Sequence, residues 1–114
     1  MDSFSNKDEL RHNTWRNAEL LLKSKARFSL MSDHPIILQR NMFYTVRHLL
    51  RFGLSKSGAI SKITSEAAEI IGAPNLGQVK PGYKSSLIVW NGDPFSLSSF
   101  PILVIGEGQI VYRE

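Results

Sequence analysis

The sequence predicts a mixed α/β chain in which helices come first and strands last. Apolar residues recur at three- and four-residue steps up to Gly72, the spacing of an amphipathic helix. After Pro74 that spacing disappears, and short β-branched and aromatic runs alternate with turn residues. Charge divides the chain at nearly the same place. Residues 1–64 hold eleven Lys and Arg against five Asp and Glu, whereas residues 65–114 hold three against five.

From Asp8 to Ser24, Leu10, Trp15, Ala18, Leu21 and Leu22 fall on one helical stripe with charged residues between them. Arg27 to Ser32 reads as a strand that ends sharply at Asp33-His34-Pro35, because a residue before proline is pushed out of the α region. A second helix is expected over Gln39 to Phe52, with Met42, Val46, Leu49 and Leu50 on one face and Gly53 as its stop. Ser55 and Ser57 are candidate N-caps of a short helix reaching Ile63. Thr64 is placed to cap another that runs through Ile71 and stops at Gly72.

In the second half, Lys80-Pro81-Gly82-Tyr83 has proline and glycine in the central positions of a type II turn. Ser86 to Trp90 is a strand, and Asn91-Gly92-Asp93-Pro94 turns the chain after it. Ile102 to Ile105, Gly106-Glu107-Gly108 and Gln109 to Tyr112 form a β-hairpin. The two glycines around Glu107 do not open a dinucleotide loop, because a strand rather than a helix follows them.

Composition excludes several classes. A hydrophobic share of 42% supports a core and argues against disorder. No window approaches the roughly twenty apolar residues of a membrane-spanning helix, and the opening has neither a basic start nor an apolar signal core. A soluble, cytoplasmic protein is expected. Without cysteine, any metal must be held by histidines and carboxylates. The net charge of +4 comes from basic residues spread along predicted helices with no interleaved stacking aromatics, so a solvated or protein-facing surface ranks ahead of a nucleic-acid groove.

Local motifs carry little chemistry. His12, His34 and His48 form neither a His-x-His nor a His-x-x-x-His pair. Asp33 at a strand exit reads, from the residues alone, as a turn former bonded to the backbone. No phosphate loop, nucleophile motif or carboxylate pair is present.

The order of segments says more. Asn17 to Lys23, then Phe28-Ser29-Leu30-Met31-Ser32-Asp33-His34-Pro35, resembles the last helix-to-strand crossover of the amidohydrolase superfamily barrel. Ile63 to Gly72 is similar to the helix that leaves that barrel, and Leu76 to Trp90 to its return strand, usually "G-x-I-x-P-G-x-x-A-D-L-V-V". Gly92 to Phe95 and Val104 to Tyr112 resemble the closing strands of imidazolonepropionase-like members.

The resemblance implies the C-terminal fragment of a (β/α)8 barrel in residues 1–72, its last helix-strand-helix units, followed in residues 73–114 by a small β-sandwich segment. It implies a divalent metal, zinc foremost, at the barrel mouth. Asp33 would be the metal-binding and catalytic carboxylate, taking a proton from the attacking water and passing it to the leaving amine. His34 would contact substrate, a small-molecule amide or cyclic amide.

The family's His-x-His pair, bridging lysine and two further histidines come from earlier strands that this sequence lacks, so alone the chain offers one ligand. Ser85-Ser86 replaces the usual Ala-Asp of the return strand. The expectation is a chain inactive by itself that needs a complementing N-terminal amidohydrolase polypeptide or self-association, with neither nucleic acid nor membrane as partner. The alternative is a non-catalytic interaction module or relic of a truncated gene, its helices dimerising through the Leu49/Leu50 stripe.

Overall fold

The computed structural model describes residues 16–114. Four short helices precede three strands: α1 Arg16–Lys23, α2 Met42–Leu50, α3 Lys56–Ser61 and α4 Ser65–Ile70, then β1 Leu87–Trp90, β2 Pro101–Gly106 and β3 Gln109–Arg113. The predicted first helix is thus found from Arg16, and its earlier part lies outside the described residues. A single 3-10 turn, Gln39–Asn41, leads into α2.

The caps explain where the helices stop and start. At the end of α4, Gly72 takes φ 67°, which lets Ala73 donate to the Ala68 carbonyl at 2.8 Å and Gly72 donate to that of Glu69 at 3.2 Å. Gly53 closes α2 with the same pair of bonds. Ser55 rather than Ser57 caps α3, its Oγ accepting from the Gly58 N–H at 3.1 Å. Thr64 precedes α4 without capping it; its hydroxyl donates back to the Ile60 carbonyl at 2.8 Å, joining α3 to α4.

Two expectations are corrected. Arg27 to Ser32 is not a strand, because no segment among the described residues lies beside it to complete a ladder. The β segment is a single three-stranded antiparallel sheet in the order β1-β2-β3, with no second sheet to make a sandwich among the described residues. Glu107 and Gly108, at φ 50° and 84°, form the two-residue turn between β2 and β3 that their positive φ values favour.

The core is small: Val46 of α2, Ala59 of α3 and Phe95, with Leu30, Phe43, Leu50, Leu54, Ile60 and Ile63 packed around them. Phe95 follows the Asn91 to Pro94 turn, so it carries the sheet onto the helices. Of the expected Leu49/Leu50 stripe, Leu49 is buried at 4% exposure and Leu50 is half-buried against the core. By contrast every residue of β3 is exposed.

Candidate functional site

Asp33 and His34 sit at the end of the extended segment that follows α1. Three contacts hold this segment on the helices. Arg27 donates to Glu69 Oε2 of α4 at 2.6 Å, Phe28 lies under the Lys62 ammonium at 4.2 Å from the ring centroid, and Leu30 packs against the core. Met31 is left 80% exposed.

The turn that follows is made by the backbone. Asp33 has φ 52°, a left-handed conformation that aspartate tolerates better than most residues. Its carbonyl accepts from the N–H groups of Ile36 at 2.9 Å and Ile37 at 3.3 Å. The His34-Pro35 peptide is cis. His34 Nδ1 accepts from the Gln39 N–H at 3.4 Å, tying the turn to the start of the 3-10 segment. The Asp33 carboxylate, exposed, has no hydrogen-bond or ion-pair partner among the described residues. Asp33 is therefore a turn residue, as its sequence context suggests, but through its carbonyl; the carboxylate stays uncommitted.

Among the described residues no three His, Asp or Glu side chains converge as metal ligands. Asp33 fits the chemistry of one oxygen ligand, and the imidazole beside it already uses Nδ1 on the backbone. His48 lies on α2 and is half-buried. His12 falls outside the described residues.

Lys62 is one of the basic residues expected on a solvated or protein-facing surface. Its side chain is 12% exposed, pinned between the Phe28 ring and an ion pair with Glu66. The hydrogen bond from Lys62, and next that from Ser61 at 2.6 Å, hold the Glu66 carboxyl below its ordinary value. The four-residue step from Lys62 to Glu66 is legible in sequence; Phe28, more than thirty residues away, is not.

The return segment also answers an expectation. Ser86, where the family pattern has aspartate, keeps an acceptor: its Oγ takes the Glu107 N–H at 3.1 Å, while the Ser85 carbonyl takes that of Gly108 at 2.8 Å.

The amidohydrolase family model matches residues 4–111, nearly the whole sequence. The chain belongs to the amidohydrolase family. This amidohydrolase chain is similar to Amidohydrolase tasK of Hapsidospora irregularis, 25% identical over 79 residues that make up 68% of this chain and 8% of that protein. It is also similar to the crystal structure of an amidohydrolase from Thermotoga maritima MSB8, with a TM-score of 0.87 and 30% identity, covering 97% of this chain and 29% of that one. The amidohydrolase chain thus spans less than a third of either relative. No helix among its described residues is long and apolar enough to cross a membrane.

Proposed function

We propose that this chain forms the C-terminal part of a metal-dependent amidohydrolase acting on non-peptide C–N bonds of small amides or cyclic amides. In this reading Asp33 is its catalytic carboxylate. The observation that carries the proposal is the exposed Asp33 carboxylate, which has no hydrogen-bond or ion-pair partner among the described residues. A carboxylate spared from turn formation is available to a cation and to a proton in transit. The metal, when bound, supplies a lowered pKa for water and polarisation of the scissile carbonyl. The chain's own contribution is to hold Asp33 through the Asp33 carbonyl turn, to accept a proton on its free carboxylate oxygen, and to return it to the leaving amine. His34, fixed through Nδ1, has Nε2 left to meet substrate.

On this reading the remaining metal ligands, and the strands that would flank residues 25–32, come from the rest of an amidohydrolase barrel. The exposed Met31, Ile36 and Ile37 support this, since apolar side chains at 80%, 82% and 53% exposure around one turn suit a surface that other chain covers. A second reading, self-association without catalysis, is favoured by one observation: β3 presents Ile110, Val111 and Tyr112 on an open sheet edge.

The test is to measure mass, metal content and amide hydrolysis for the purified chain, alone and joined to the rest of an amidohydrolase barrel. Retained divalent metal and hydrolysis only in the joined form, both lost in Asp33→Ala, is the expected result. Tight metal binding with enzyme-like hydrolysis by the chain alone, or full activity of the joined Asp33→Ala protein, would sink the proposal. A stable homo-oligomer indifferent to the added barrel would favour the second reading.

A further inference from the structure

Helix α2 and the connection between β1 and β2 enclose a cleft of about 190 Å3. Arg40, on the 3-10 turn that leads into α2, and Arg47, on α2, both line it. Tyr44, Trp90, Ser96 and Ser99 contribute to the rest, and among the described residues no acidic side chain lines the cleft. Neither guanidinium has an ion-pair partner among the described residues. Asp93 does feel Arg47, but both its oxygens are taken: Oδ2 by Lys56, and Oδ1 by the Phe95 N–H at 2.9 Å.

Two unpaired like charges in one partly enclosed cleft repel each other, and an anion between them removes that cost. The guanidinium fork matches the planar oxygens of a carboxylate or the oxygens of a phosphate, and the Ser99 hydroxyl is a further donor, whereas Ser96 Oγ already bonds to Ser98. Trp90 gives the cleft an aromatic wall that Phe43, with its ring centroid 5.2 Å away, holds in place. The volume lies under the roughly 300–1,000 Å3 of sites for drug-sized ligands, which limits the occupant to about one ring and its acid group.

We propose that this cleft binds a small molecule consisting of a flat apolar body and a carboxylate or phosphate. The inference is independent of the role of Asp33, which does not line the cleft.

The chain has two tryptophans, so Trp15→Phe leaves Trp90 as the only indole reporter. Titrating that chain with benzoate and with phenyl phosphate should give a saturable change in Trp90 emission, weakened by added salt. Arg40→Gln and Arg47→Gln should each raise the Kd about tenfold or more, through loss of a charge-assisted hydrogen bond. Arg47→Lys, which keeps the charge, should weaken binding less than Arg47→Gln, and Lys84→Gln, which removes a charge that does not line the cleft, should leave it unchanged. Far-UV circular dichroism of each variant checks that its fold is intact. A preference between the two probes identifies the acid group. The proposal is overturned if neither probe saturates, if folded Arg40→Gln and Arg47→Gln chains bind as well as the parent, or if benzyl alcohol binds as tightly as benzoate.

Discussion

The ring of Phe43 on α2 stands 5.2 Å from that of Trp90 on β1, tilted by 39°, and this contact ties the helical half of the chain to its sheet. Phe43 makes the same contact, at the same distance, with the buried Phe95. Three aromatic rings therefore do the joining in a protein whose fully enclosed core is only a few side chains. Phe43→Ala should destabilise the chain by about 3 kcal/mol, the cost of a lost aromatic contact and a cavity between two elements. Urea denaturation followed by Trp90 emission measures it. A loss under about 1 kcal/mol would show that the two halves are held together by something else.

If Asp33 is the catalytic carboxylate proposed above, its substitutions should separate chemistry from stability. Asparagine tolerates the left-handed φ of 52° and keeps the carbonyl that closes the turn, so Asp33→Asn should leave the unfolding midpoint nearly unchanged. Alanine does not tolerate it, and Asp33→Ala should cost roughly 1 kcal/mol. Both should abolish hydrolysis by the joined enzyme. Comparing midpoints and turnover for the two variants checks the separation.

Glu66 gives the chain an acid limit. Its hydrogen bond from Lys62, followed by that from Ser61, depresses the folded carboxyl below its ordinary value of 4.5. A depressed acid stabilises the fold above its unfolded pKa, and that stability is lost as pH falls through the lower folded value. Stability should therefore decline on acidification below about pH 4.5, and Glu66→Gln should flatten that part of the profile. Thermal midpoints between pH 3 and pH 7, taken as about the span of carboxylate titration, test this. An unchanged slope in the variant would place the acid sensitivity elsewhere.

Gly77 is required by space as well as by backbone. At φ 79° a Cβ there would stand 2.6 Å from the Thr64 carbonyl oxygen and 2.8 Å from Ser65 Cα, atoms of the chain that cannot rotate away. Gly77→Ala should cost about 3 kcal/mol or more, by overpacking added to a positive φ. Gly72→Ala, at φ 67° with nothing within 4 Å, should cost only about 1 kcal/mol. Equal costs in chemical denaturation would refute the close approach.

Much of the architecture is written locally. The stops at Gly53 and Gly72, the cap at Ser55, the Lys80 to Tyr83 turn and the Glu107-Gly108 hairpin each depend on one or two residues whose backbone freedom or side-chain oxygen acts within four positions. These need no knowledge of the rest of the chain. The order of the same segments was enough to suggest the amidohydrolase family, and to single out Asp33 and His34.

Tertiary structure decided what those residues do. Arg27 to Ser32 has strand-like composition, but a strand exists only beside another, and no residue within the segment can supply that neighbour. Lys62 and Lys56 are both helix lysines in sequence; only the approach of Phe28 to one and of Asp93 to the other distinguishes a largely enclosed charge from a surface pair. Arg40 and Arg47 came to line a cleft because Trp90 and the loop after it fold back against α2. Asp33 could have bonded its own backbone with its side chain, as its type usually does at a turn. Here the carbonyl does that work, accepting from Ile36 and Ile37, and the carboxylate has no hydrogen-bond or ion-pair partner among the described residues.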